Sequence, residues 1–205
     1  MKKLYSMQKL LKLNIFTLLI NLIIFYYPAS SQEPKIFIEN LTREASKILS
    51  SDISKFEKMS KLKVIAKENV DINGIGLYTL GSHRKNLTDS KKKEYLDLFN
   101  KYFLKSFSSR LAEYSDPKIT VLSEEKLSEK YTIVTSVLLS TDKRPEVKID
   151  WRVYTKNKEK PLIRDLIIEG LSLARTQKEE FNSVITSSDN GIEGLFSNLK
   201  NFIKN

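Results

Sequence analysis

The chain has no cysteine, one histidine and one tryptophan among its 205 residues. Without cysteine it cannot rely on disulfides, and it offers neither a thiol nucleophile nor a thiolate metal ligand. The single histidine, His83, cannot form the histidine pair of a common zinc site, and in the polar run Ser82-His83-Arg84 it is expected to be solvated. Glycine is scarce too. Gly74 and Gly76 do not make a dinucleotide fingerprint, because no strand precedes them and no third glycine follows at the required spacing. There is no Gly-x-Ser-x-Gly elbow, no internal repeat and no low-complexity segment.

The one long apolar run lies at the start. Lys2, Lys3, Lys9 and Lys12 precede apolar residues from Leu13 to Tyr27, and Ala29-Ser30-Ser31 supplies small residues before Gln32. This is the layout of a secretory signal peptide spanning residues 1–31 and cleaved near Ser31, leaving one domain over 32–205. An uncleaved anchor is the competing reading, but the apolar core is shorter than the ~20 residues a membrane span needs. No cysteine follows the run, which excludes a lipid-modified cysteine there. The whole chain carries +10, and removing residues 1–31 takes away four lysines and no acids, leaving +6. Such a surface suits anionic lipid or an acidic protein, and export argues against nucleic acid.

Helical periodicity comes first along the domain. Pro34 opens a helix carrying Ile36, Ile38, Leu41, Ala45, Ile48 and Leu49, and a second runs from Ile53 to Glu68 with Phe56, Met59, Leu62 and Ile65 on one side. Both are expected to pack on a common core. Asp71 caps a short third helix with Ile72, Ile75 and Leu80, in which Gly76 permits close approach of a neighbour. From Thr88 to Tyr114 the spacing predicts a long helix with room for one break. Tyr95, Leu96, Phe99, Tyr102, Phe103, Phe107, Leu111 and Tyr114 form its apolar stripe, opposite Asp97, Lys101, Lys105 and Ser108. Arg110 falls within the apolar arc, where its side chain is expected to snorkel outward.

After Pro117 the period changes to two. Ile119 and Val121 mark one strand, and Tyr131, Ile133, Thr135, Val137 and Leu139 alternate with Thr132, Val134, Ser136 and Leu138 in the next. In the third, Ile149, Trp151 and Val153 alternate with Asp150, Arg152 and Tyr154. Lys156 to Lys160 make a polar turn, and in the fourth strand Leu166 and Ile168 alternate with Asp165 and Glu169 before Gly170. Four consecutive strands form an antiparallel meander most simply. Two closing helices follow, Ser172 to Ser187 with Ser172 as cap, and Gly191 to Ile203. The class is α+β. Alternation sends Asp150, Asp165 and Glu169 away from the face of Trp151, Leu166 and Ile168, so they suit structural or partner contacts better than catalysis.

Three stretches, in order and in register, carry a resemblance. Val70-Asp-Ile72, Leu80-Gly81, Thr88 and the run Tyr95 to Tyr114 form the first. The second and third are Asp165-Leu-Ile-Ile-Glu-Gly-Leu-Ser-Leu173 with Glu180-Phe181, and Gly191-Ile-Glu-Gly-Leu195. Together they resemble the MlaC family of periplasmic phospholipid-binding proteins, also called toluene-tolerance proteins. The chain departs from the family pattern at Ser82-His83-Arg84, where aromatics are usual, and at Lys160 to Arg164.

The resemblance implies a fold related to nuclear transport factor 2, with helices wrapped around a curved, mostly antiparallel four-stranded sheet enclosing an apolar cavity. It implies a monomeric periplasmic carrier that is not an enzyme. Its cargo is phospholipid, with no other cofactor and no metal. Its partners are an inner-membrane ABC transporter bearing an MCE domain, for which it is the substrate-binding component, and an outer-membrane lipoprotein and porin complex. The residues expected to line the cavity are Leu80, Phe99, Phe103, Phe107, Ile133, Val137, Leu139, Trp151, Val153, Leu166 and Ile168. Cargo of the hopanoid type stays open beside phospholipid. Two other readings stay open as well: an isomerase- or dehydratase-type enzyme on the same fold, which needs an acid or histidine inside the cone, and a lipid-free envelope adaptor whose aromatics fill a solid core.

Overall fold

The computed structural model describes residues 33–142 and 144–205. The signal peptide and cleavage point expected over 1–31 lie outside the described residues. Residues Gln32–Asn205 form a compact unit of their own.

Helix α1 (Pro34–Ser50) starts with proline in its first turn, where no intrahelical partner for its nitrogen is needed. It buries Phe37, Ile38, Leu41 and Leu49, whereas Ile36, expected on the core side, is exposed. Helix α2 (Lys55–Asn69) begins at a capping box: the Ser54 hydroxyl accepts the Glu57 N–H, and the Glu57 carboxylate accepts the Ser54 N–H. Leu62 and Ile65 point inward as the spacing predicts. Phe56 does not, and is 77% exposed. It sits in the first turn, about 100° per residue round from the face that Leu62, Ile65 and Ala66 share, so the helix cannot bury both.

Helix α3 (Ile72–Thr79) is capped by the Asp71 carboxylate, which accepts the Gly74 N–H at 2.9 Å. Gly76 lies so close to α4 that a methyl group there would stand 2.8 Å from the Phe99 ring. A 3-10 turn (Gly81–Lys85) leads on to α4 (Asp89–Leu111), which Thr88 caps and which runs without a break. Its buried set is Tyr95, Leu98, Phe99, Leu104 and Ser108, so the stripe is rotated toward Leu104 and Ser108, the latter expected on the polar side. His83 is not simply solvated: it is half-buried, its Nε2 3.0 Å from the Asn182 side-chain oxygen.

The sheet is an antiparallel meander in the order β1-β2-β3-β4-β5, comprising β1 (Ile119–Ser128), β2 (Tyr131–Leu138), β3 (Val147–Tyr154), β4 (Leu162–Ile168) and β5 (Leu171–Ser172). It has five strands rather than four. The extra strand exists because Glu169 and Gly170 both take positive φ, the conformation of a two-residue hairpin turn matched to strand twist, which folds Leu171 back onto Ile168. Register shifts in β1 and between Arg152 and Val153 supply local bends in the sheet. Helix α5 (Leu173–Ser187) starts at the Ser172 cap, and α6 (Ile192–Lys204) closes the chain. A hydrogen bond from Lys200 to Glu94 ties α6 to α4, and together with one from Lys91 of α4 itself it holds the Glu94 carboxyl below the ordinary carboxylate range.

Burial resolves into two apolar clusters. One is helical, formed by α3 to α6 around Leu80, Tyr95, Phe99, Phe181 and Phe196. The other joins Phe37, Ile38 and Leu41 of α1 to Val134, Val153 and Ile163 of the sheet. Helix α2 stands between them, contributing Ala66 to the first and Ile65 to the second, and Val70 packs against both.

Candidate lipid site on the apolar face of the sheet

Strand register decides which side chains share a face. Thr132 is opposite Val153, Val134 opposite Trp151 and Ser136 opposite Ile149, while Trp151 is in turn opposite Leu166 and Ile149 opposite Ile168. Since paired residues project to the same side, these form one face, the one α1 covers through Phe37, Ile38 and Leu41.

The cover is uneven along the strands. On β2 Thr132, Val134 and Ser136 are buried all along this face, while on β3 and β4 only Val153 and Ile163, at one end, are buried. Toward the other end Trp151, Ile149, Leu166 and Ile168 remain only half-buried, although all are large and apolar. The Trp151 indole N–H donates to the Ser136 hydroxyl at 2.8 Å, which satisfies the ring's polar atom and leaves its apolar surface as the exposed part. On the helical side Phe103 and Phe107 stack with centroids 5.7 Å apart and are likewise half-buried at the margin of their cluster.

The eleven residues expected to share a lining therefore separate into groups. Trp151, Val153, Leu166 and Ile168 share the face just described, with Val153 at its sealed end. Phe103 and Phe107 lie at the margin of the helical cluster, inside which Leu80 and Phe99 are completely enclosed. The expectation that Ile133 and Val137 join Trp151 and Leu166 is corrected by register. Ile133 is opposite Arg152 and Val137 opposite Lys148, on the other face of the sheet. Leu139 lies beyond the end of β2 and is 39% exposed. Both alternating sets of β2 contain branched apolar residues, so periodicity alone did not choose between them. The signal that could have chosen is the charged partner set, Lys148, Asp150 and Arg152, on the next strand.

That opposite face mixes Ile133, Val137 and Ile167 with polar residues that are paired among themselves. Asp150 accepts from the Thr135 hydroxyl at 2.7 Å and lies 3.2 Å from Lys148. Asp165, 3% exposed, accepts from the Ser172 hydroxyl at 2.6 Å and the Ala174 N–H at 3.0 Å, with Arg152 at 3.3 Å. It anchors the start of α5. Glu169 is exposed in the β4–β5 turn and accepts the Lys148 N–H. Arg164 donates to Asp71 and to the Tyr131 hydroxyl and stacks 3.7 Å from the Tyr154 ring centroid, pinning α3 to the sheet. Burial opposes its charge, and the bonds to Tyr131 and Asp71 outweigh that and raise its pKa. Arg110 is exposed, as expected.

A separate polar cleft of about 190 Å³ lies between the start of α3 and the β3–β4 turn, lined by Lys67, Asp71, Asn73, Asn100 and Lys160 among others. Its lining does not suit an acyl chain. Among the described residues no cluster of acidic or histidine side chains could hold a metal, and no helix is long and apolar enough to cross a membrane.

The architecture is thus an α+β fold with an open antiparallel sheet whose one apolar face is incompletely covered. A solved structure, the phospholipid-binding protein from Ralstonia solanacearum in complex with a phospholipid, has the same fold: TM-score 0.70 over 84% of this chain and 98% of that one, at 16% identity. The family model described as MlaC protein matches residues 39–201, and the chain belongs to that family. No curated protein matches it.

Proposed function

We propose that this chain is a periplasmic phospholipid carrier, its cargo's acyl chains lying on the open half of the sheet's apolar face, between Trp151, Leu166 and Ile168 on one side and Phe103 and Phe107 on the other. The observation that carries this is the change along β3 and β4, on one sheet face, from buried Val153 and Ile163 to half-buried Trp151, Leu166 and Ile168 while the side chains stay apolar. A face that only filled a core would be closed at both ends. Each methylene sheltered from water is worth about 0.8 kcal/mol, so a two-chain lipid crosses an aqueous compartment at a useful rate only when escorted. Such a site needs no specific polar contact, and it lies away from Asp150, Asp165 and Glu169, the acids an enzyme on this fold would have to use.

Membership in the MlaC family and the phospholipid in the Ralstonia solanacearum structure support the cargo class. The finer reading follows the family. The carrier is exported by the segment 1–31, works as a monomer, and is the substrate-binding component passing lipid between an outer-membrane lipoprotein and porin complex and an inner-membrane ABC transporter with an MCE domain. The test is organic extraction of residues 32–205 purified without detergent, followed by mass spectrometry, together with uptake of labelled lipid from vesicles. Bound glycerophospholipid is the expected result. Protein that neither carries nor acquires any lipid would defeat the proposal.

A further inference from the structure

The open end of the apolar face also gathers exposed apolar side chains that packing does not explain. Strand β1 begins there, with Ile119 opposite Leu138, β3 begins there at Val147, and β4 ends there with Ile168 opposite Ile149. The helices are tied to the same end. The Ser50 hydroxyl at the close of α1 donates to Asp116 at 2.8 Å, just before β1, and Lys58 donates to the Leu49 carbonyl at 2.8 Å. Lys55 is 3.9 Å from Glu113, past the end of α4, and Arg144 of the β2–β3 loop stacks 4.4 Å from the Tyr114 ring centroid. The first turn of α2 therefore stands at the open end, and Phe56 with it.

Four large apolar residues project into water around this end: Phe56 at 77% exposure, Leu171 at 58%, Leu173 at 42% and Leu139 at 39%. Leu171 owes its position to the positive-φ turn at Glu169 and Gly170. They come from α2, β5, the start of α5 and the β2–β3 loop, so no single amphipathic helix accounts for them. Lys55 adjoins Phe56, the Lys118 carbonyl accepts the Leu139 N–H, the Lys148 carbonyl accepts the N–H of Glu169 in the turn before Leu171, and Arg175 follows Leu173 by two residues; Lys55 and Lys148 are also paired with Glu113 and Asp150. Apolar tips spaced among long cationic side chains match the boundary zone of a bilayer, where rings and branched chains enter the acyl margin and lysine and arginine reach the phosphates.

We propose that this end of the molecule docks directly on a phospholipid bilayer, with Phe56 and Leu171 as the inserting side chains. The placement of cargo rests on the carrier reading above, since a lipid would then pass from the bilayer to the half-open sheet face without crossing water. The docking itself does not.

The test is co-sedimentation of residues 32–205 with vesicles of phosphatidylcholine and phosphatidylglycerol. Wild-type protein is expected to bind, and Phe56→Ser and Leu171→Ser each to weaken binding about tenfold, the scale of one apolar side chain returned to water. Leu127→Ser, at the far end of the sheet and 51% exposed, is expected to bind as wild type does. Equal thermal midpoints establish that the exposed substitutions leave the fold intact. Wild-type protein that ignores vesicles, variants at 56 and 171 that bind unchanged, or loss caused by Leu127→Ser instead, would each overturn the docking face. Lipid content measured on the same samples keeps the two proposals apart. A protein that docks through Phe56 and Leu171 but holds no lipid upholds the docking face and defeats the carrier, and a loaded protein that ignores vesicles does the reverse.

Discussion

Trp151 and Ser136 sit on neighbouring strands of one sheet face, the indole N–H donating to the serine hydroxyl at 2.8 Å while that hydroxyl reaches the Ile149 carbonyl at 3.3 Å. This pair stands where the face passes from sealed to half-open. Ser136 is wholly buried and Trp151 half-buried, so the bond orients the indole ring at the margin of the proposed site. Ser136→Ala leaves the indole N–H without that acceptor and is expected to cost about 1 kcal/mol, read from the urea midpoint. Trp151 is the only tryptophan, so its emission reports this position alone and is expected to change when lipid is removed by extraction. Emission indifferent to lipid would place the cargo elsewhere.

The two faces of the sheet make a paired prediction. Leu166 and Val137 are both half-buried branched residues, on opposite faces. Leu166→Glu puts a charge where acyl chains are proposed to lie, which is strongly unfavourable, and is expected to reduce co-purifying lipid at least about tenfold. Val137→Glu, beside Lys148, is expected to keep its lipid. Quantitative lipid analysis of both folded variants decides, and the reverse pattern would move the cargo to the other face.

Asp165 is expected to matter for folding rather than for cargo. Its buried carboxylate serves Ser172, Ala174 and Arg152 together, and Asp165→Ala strips all three. A loss of about 2 to 4 kcal/mol is expected in chemical denaturation, the lower part being more natural because Arg152 retains access to water. Asp165→Asn keeps an acceptor for the Ala174 N–H and is expected to recover part of that loss.

Tyr95 supplies a pH prediction. Its ring is enclosed in the helical cluster and its hydroxyl lies 2.8 Å from that of Thr79, and burial raises its pKa above the ordinary phenol value. A raised pKa means the folded state holds this proton more tightly than the unfolded chain does. The contribution is complete below the unfolded value of about 10 and is lost as pH rises past it. Thermal midpoints are therefore expected to fall on the alkaline side, and Tyr95→Phe, at a cost of about 1 kcal/mol near neutrality, to flatten that fall. An unchanged alkaline slope in Tyr95→Phe would assign it to another group.

Local chemistry made much of the fold legible. Asp71, Thr88 and Ser172 cap helices because a side-chain oxygen near free N–H groups satisfies them whatever the rest of the chain does, whereas the Ser54–Glu57 capping box moves the start of α2 from the expected Ile53 to Lys55. Strand β5 escaped notice because it needs two consecutive residues at positive φ, one of them Glu169, which no periodicity announces. Phe56 escaped because an aromatic residue at helical spacing reads as core, and only the packing of α2 between two clusters showed which side faces water. The candidate site was half legible: Trp151, Leu166 and Ile168 stand on the face the alternation assigned them, whereas Ile133 and Val137 do not.

By itself, then, the order of residues determined the succession of helices and of the four longer strands, that those strands run as an antiparallel meander, and that one face of β3 and β4 is apolar. These depend on contacts a few residues apart, or on a period the backbone imposes. Tertiary structure alone decided which alternating set of β2 joins that face, because the choice rests on pairing with Lys148, Asp150 and Arg152 across the ladder. It also decided where the cover of α1 stops, since the burial of Trp151 depends on helices more than thirty residues away in sequence.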